Sequence, residues 1–248
     1  MPVVPRSRRR SHASCLRRRG AGRSLDRRAL IAGVPCLLLL LGLATPAPAQ
    51  ETDADPVAIA ERASKVYREL TSFGADFKQV IDDSMLGSYA SRGRLIQSGT
   101  AKLAMRFSDP AGDAIVMDGQ KVWIFTPSTT PGQVIRMPIP TGPRFGFNVL
   151  AWLLDEPNLR YHITYLRADQ SGGHPADVIQ LEPLDADLPF DRAVLWLDQS
   201  DALPRRLEIR ERRGAYRTLV FSRVTLNSKV TDETFRFRVP SGVKVIDQ

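Results

Sequence analysis

The chain has 248 residues, with 35 Lys+Arg against 27 Asp+Glu. Ten of those Arg and one of those acids lie in residues 1–50, so the remainder carries 25 cations against 26 anions and is close to neutral. That balance removes the basic surface from which nucleic-acid recognition starts, and with Cys15 and Cys36 both before residue 50 the remainder has no thiol for a disulfide, a nucleophile or a metal.

The first fifty residues read as an export signal. An arginine-rich lead (Arg6 to Arg28) precedes the apolar run "ALIAGVPCLLLLLGLA" and an Ala47-Pro48-Ala49 site. Basic region, apolar core and small-residue site together predict a cleaved signal over 1–49 and a mature domain over 50–248. Arg27-Arg28 in "DRRALIA" leaves a twin-arginine route open beside the general one. Gly33 and Pro35 interrupt the apolar run, which is short for a bilayer span. The expected location is the periplasm.

Asp55-Pro56 suits a helix start, and Ile59, Ala63, Val66, Tyr67 and Leu70 share one helical face, so a helix is predicted to about residue 70. From Phe73 the period becomes two. Strand-like runs follow at 89–97, 100–107, 113–117, 121–126, 133–137, 160–166, 177–183, 190–197, 203–211 and 215–226, separated by turn pairs such as Asp118-Gly119. Short strands in series with no interleaved helices predict an antiparallel sheet wrapped into a sandwich, barrel or half-barrel.

One segment breaks the alternation. "GFNVLAWLLDEP" is apolar nearly all round, and Pro143 and Pro157 bracket a helix of about three turns. A helix apolar on every side has to be buried on every side. Two readings are open: a core helix plugging the sheet, or a lid touching the sheet on one face and a bound apolar molecule on the other.

Little looks catalytic. His162 and His174 have no partners at metal-ligand spacing, and no Gly-x-Ser-x-Gly elbow, phosphate loop or Gly-x-Gly-x-x-Gly occurs. Ser241-Gly242-Val243-Lys244 matches Ser-x-x-Lys without its companion motifs. Asp185, Asp187 and Asp191 lack the spacing of a calcium loop, and the run Arg205 to Arg213 alternates with Leu207 and Ile209 as a solvated strand face does. No enzyme activity, metal or cofactor is expected.

The apolar inventory is more informative. Leu95, Met105, Phe107, Trp123 and Phe125 sit on strands, and Trp123 and Phe125 alternate with the equally apolar Val122 and Ile124, so which parity faces inward stays open. A sheet apolar on both faces is either covered twice or holds something else. A cavity with an apolar cover suits acyl chains, since each methylene kept from water is worth about 0.8 kcal/mol.

These residues also carry a family resemblance. "SFGADFKQV" (72–80), "GRL" (93–95), "FSDPAGDAIVMDGQKVWIFTP" (107–127), "RFGFNVLAWLL" (144–154) and "DETFRFRVPSGVKVID" (232–247) resemble the periplasmic lipoprotein carrier family LolA. The Asp-Gly-x-x-x-Trp turn and the Phe-x-Phe-x-x-Pro-x-Gly-Val tail are its most specific motifs. The resemblance implies a mainly β fold with a few helices: a single curved antiparallel sheet, an open half-barrel, with an N-terminal helix and an apolar lid helix over the concave face. It also implies a carrier that accepts acylated lipoproteins or lipid from an inner-membrane ABC transporter (LolCDE-like) and passes them to an outer-membrane acceptor, as a monomer. On this reading Leu95, Met105, Phe107, Trp123 and Phe125 line the concave face and Phe145, Phe147, Leu150, Leu153 and Leu154 the lid. A lipid-sensing module of envelope-stress signalling, acting through protein partners, is the alternative. One departure stands out: where the family places a basic residue followed by a proline, the basic side chain latching the lid helices in the lipid-free form, this chain reads Gly99-Thr100, with Lys102 and Arg106 the nearest bases.

Overall fold

The computed structural model describes residues 54–85, 87–139 and 148–248, all within one compact unit, Glu51–Gln248. The expected leader over 1–49, and with it the helix start at Pro143 and the lid residues Phe145 and Phe147, lie outside the described residues.

The N-terminal helix forms as its sequence dictates. α1 (Pro56–Glu69) opens on Asp55, whose Oδ1 accepts the Val57 and Ala58 amides at 3.0 and 3.3 Å. It buries Ala60, Ala63, Ser64 and Tyr67, while the expected Ile59, Val66 and Leu70 pack half-buried on the same core.

The rest is one curved sheet, which among the described residues has twelve strands. β1 (Phe73–Asp83) lies near its middle. From it β2 (Gly87–Ser98), β3 (Lys102–Asp109), β4 (Ala111–Asp118), β5 (Lys121–Phe125) and β6 (Gln133–Pro138) meander toward one edge. The chain then crosses to the far edge, where β7 (Tyr161–Ser171) begins the return through β8 (His174–Pro183), β9 (Phe190–Asp198), β10 (Pro204–Glu211) and β11 (Tyr216–Leu226), and β11 pairs with β1. The expected antiparallel pattern holds with one exception. The terminal β12 (Lys244–Asp247), absent from the sequence reading, pairs parallel to β6.

This topology decides where the apolar segment goes. β6 lies next to one edge of the sheet and β7 at the other, and the described part of the connection between them buries Leu150, Trp152, Leu153 and Leu154 in the core above the sheet. It carries α2 (Val149–Leu153) and α3 (Pro157–Arg160). Within the described part of the expected three-turn helix, the helix is corrected to α2 alone, which starts after Asn148; α3 follows beyond the bracket. Asn148 caps α2 by accepting the Ala151 amide at 3.2 Å, and Glu156, in the left-handed region at φ 46°, breaks the path so that Pro157 opens α3 instead of ending α2.

α1, α2 and the sheet share one core. Phe73 and Phe77 of β1, Leu103 and Met105 of β3, Leu195 and Leu197 of β9, Leu207 and Ile209 of β10 and Leu219 and Phe221 of β11 face it, with α1 and α2 above. Phe73 meets Phe221, and Phe77 meets Phe107, edge to face at 5.8 and 5.1 Å. Opposite Phe77 stands Gly93, where a Cβ would lie 2.1 Å from the Arg106 carbonyl oxygen; β2 and β3 can approach this closely only through glycine.

Candidate functional site

A cavity of about 400 Å3 lies between α2 and the concave face of the sheet. Leu95, Met105, Phe107, Ile115, Leu219 and Phe221 supply its floor, and Asn148, Val149 and Leu150 its roof. Gln79, Ile81 and Arg217 complete it toward the hairpin joining β1 to β2. The volume falls within the ~300–1,000 Å3 of small-molecule sites, and the lining is apolar with a few convergent polar groups, as such sites are.

The roof is buried as an all-apolar helix requires: Leu150, Trp152, Leu153 and Leu154 are inaccessible or nearly so, and Val149 and Ala151 are half-buried. Its residues divide by neighbour. Leu150 and Val149 face the cavity, Leu154 and Ala151 border a smaller hollow of about 110 Å3 beside Tyr67, and Leu153 is wholly in the core. Trp152 packs edge to face on Tyr161 and Phe190 at 6.1 and 5.3 Å.

A neutral hydrogen-bond network ties this roof down. The Tyr67 hydroxyl donates to Gln97 Oε1 at 2.6 Å and lies 3.4 Å from Asn148 Oδ1. Gln97 Nε2 donates to the Gly99 carbonyl at 2.8 Å, and Asn148 Nδ2 to the Thr100 carbonyl at 3.3 Å. Burial raises the Tyr67 pKa well above its usual value despite the two amide contacts, so the phenol stays protonated and able to donate. The two bases nearest in sequence do not reach the roof. Lys102 pairs with Asp232 at 2.6 Å, and the Arg106 guanidinium contacts the carbonyls of Thr234 and Arg236 in the C-terminal segment.

Of the expected site residues, Leu95, Met105, Phe107 and Leu150 come together on the cavity, Leu153 and Leu154 in the packed roof beside it. Trp123 and Phe125 are corrected to the opposite face. Ile124 pairs with Ile115 and shares the cavity side, so its neighbours in β5 point outward. There Phe237 stacks on Trp123 at 5.6 Å and meets Phe125 at 5.7 Å. Asp118 Oδ2 accepts the Trp123 indole N–H at 2.9 Å, and the Arg136 guanidinium lies 5.4 Å from the ring centre. Sequence reasoning missed Ile115, Leu219 and Phe221, which strict alternation from Met105 and Phe107 across paired strands would have supplied, and Gln79 and Arg217, which carried no signal. Among the described residues no group of three or more His, Cys, Asp or Glu is placed to hold a metal, and no helix is long and apolar enough to cross a membrane.

A family model described as outer membrane lipoprotein carrier protein LolA matches residues 68–238. An outer-membrane lipoprotein carrier protein of Methylobacillus flagellatus is 23% identical over 189 residues, covering 76% of this chain and 88% of its own. Another, from Dechloromonas aromatica, is 25% identical over 175 residues, covering 70% and 80%. Among solved structures, an uncharacterized conserved protein from Thermus thermophilus superposes with a TM-score of 0.51 at 14% identity, over 77% of this chain and 98% of that one, a likeness of fold alone.

Proposed function

Because the chain belongs to the family of the outer membrane lipoprotein carrier protein LolA, we propose that it is a periplasmic carrier that takes the acyl chains of lipoproteins into its roofed cavity and moves them from the inner toward the outer membrane. The observation that supports this reading is the 400 Å3 apolar hollow left between α2 and the sheet. A core that merely needed filling would close it, since interiors are close-packed and a void forfeits contacts.

Magnitudes suit a carrier. Net, each neutral hydrogen bond of the roof contributes roughly 0.5–1.5 kcal/mol, so releasing the tie costs a few kcal/mol. Burying methylenes at about 0.8 kcal/mol each offsets that cost after a handful, far fewer than a long acyl chain provides. Cargo can therefore open the roof, and an empty cavity closes again. An inner-membrane transporter delivers the cargo and an outer-membrane acceptor removes it.

The test places charge in the hollow without touching the packed core. Val149 and Ile115 line the cavity and are half-buried. The Val149→Glu/Ile115→Glu variant should keep the wild-type far-UV circular dichroism but lose uptake of a fluorescent fatty acyl probe, and should no longer release lipoproteins from inner-membrane vesicles carrying their transporter. Undiminished uptake in a folded variant would refute the cavity as the cargo site.

A further inference from the structure

Apart from Asn148 in the roof, which is tied to Thr100, the polar residues lining the cavity gather at one end. Arg217 of β11 and Gln79 of β1 both line it, as diagonal neighbours across the strand pair in which Gln79 faces Leu219 and Ile81 faces Arg217. Their Cα atoms are then roughly 7–8 Å apart, close enough for both side chains to reach one ligand atom. Gln79 commits one amide N–H to Ser91 Oγ at 3.3 Å. Arg217 commits Nη2 to Glu211 Oε1 at 3.0 Å, while its Nε is buried with no hydrogen-bond partner. A guanidinium carries five N–H donors, so Arg217, on the wall of the cavity, keeps donors beyond the one given to Glu211.

We propose that Arg217 and Gln79 form a headgroup subsite that takes the neutral carbonyl of an acyl ester or amide, in preference to the carboxylate of a free fatty acid. This rests on the carrier reading and specifies its ligand. The selection follows from charge. Glu211 already neutralises the guanidinium, so the pair offers an N–H donor without a free positive charge. A carbonyl oxygen accepts from the guanidinium and brings no charge into the cavity. A carboxylate at the same point meets Glu211 beside it and loses its hydration without gaining an unpaired cation. The site also has the reach to orient a chain: Gln79 is six residues along β1 from Phe73, which pairs with the roof-tying Gln97, a span of roughly 20 Å. The acyl tail then lies under α2 and the linkage to the rest of the cargo emerges at the β1–β2 hairpin end.

Displacement of a fluorescent acyl probe from the purified protein by methyl laurate, ionised laurate and dodecane tests this. The wild type should bind the ester about tenfold more tightly than the alkane, the gain of one hydrogen bond to a charged donor, and more tightly than the acid. Arg217→Met should reduce the ester to the affinity of the alkane. Glu211→Gln, which retains the guanidinium and frees its charge, should reverse the order and favour laurate. Equal affinity for the three ligands in the wild type overturns the subsite and leaves the carrier reading standing. So does a uniform loss in Arg217→Met, which would mark Arg217 as structural. Failure of all three to displace the probe overturns both.

Discussion

At the scale of single residues, the polar groups of this protein divide into those that hold the roof and those that hold the frame. Tyr67 belongs to the first. Tyr67→Phe removes a buried donor and strands Gln97 Oε1, itself buried, so unfolding in urea should show a loss of about 1–2 kcal/mol. Asn148→Ala, which removes both the α2 cap and the tie to Thr100, should cost about as much and speed the exchange of probe into the cavity. Asp198 belongs to the frame. It is almost fully buried, forms an ion pair with Arg205 at 3.0 Å, lies 2.9 Å from His174 Nδ1, and accepts the Ser200 hydroxyl at 2.6 Å. Burial alone would raise its pKa, but the Ser200 hydrogen bonds and the neighbouring charges outweigh it and hold the carboxyl below its usual 3.8. A carboxyl whose folded pKa is depressed contributes fully above the unfolded value and loses that contribution as the pH falls through the folded one. Stability measured by urea titration should therefore decline below about pH 4, and less steeply in Asp198→Asn.

At the scale of elements, α2 is the informative case. Five residues are far too few for a helix stable by itself, so its fold depends on the packing of Leu150, Trp152 and Leu153 and on the Asn148 cap. Its amides should exchange with solvent well before those of β1 and β11, which are paired on both sides; protection of α2 equal to theirs would mean that it does not open. The sequence showed that this segment had to be buried, because its apolarity runs all round, but not how long its helix would be. Apolarity records burial, and the break at Glu156 is a left-handed residue of a type that gives no warning. β5 failed for a related reason. Val122, Trp123, Ile124 and Phe125 are apolar on both parities because the tail residue Phe237, far along the chain, covers the outer face. Alternation tells which residues share a face but not which face is which. Trp123→Ala should accordingly leave probe uptake unchanged while lowering stability by roughly 2 kcal/mol, less than the ~3–5 of a wholly buried aromatic. Phe107→Ala should impair uptake itself. The long strands and α1 were legible because each rests on local signals, a period of two or a cap followed by proline.

At the scale of the whole molecule, an open sheet has two edges and each needs protection from pairing with another chain. The β7 edge is blunted by a register irregularity between Tyr165 and Arg167, which bends the strand and interrupts any continuous row of donors and acceptors. At the other side β12 is the edge strand, and it covers β6, whose Val134 and Ile135 pair with Val245 and Ile246. Lys244 to Asp247 pair with Gln133 to Arg136 in register, and Arg136 Nε and Nη2 grip both oxygens of Asp247 at 2.6 and 2.7 Å. β12 is thus the piece that ends the sheet, added by a tail that has already crossed the outer face at Phe237. A chain truncated after Gly242 keeps α1, the cavity, the roof and the Phe237 contacts but bares the β6 edge. It should still take up the acyl probe, yet self-associate in a concentration-dependent way by light scattering. Asp247→Ala should show the same tendency more weakly, since the backbone pairing survives the loss of the bidentate contact. If the truncated chain stays as dispersed as the wild type at every concentration, β12 is not what guards this edge.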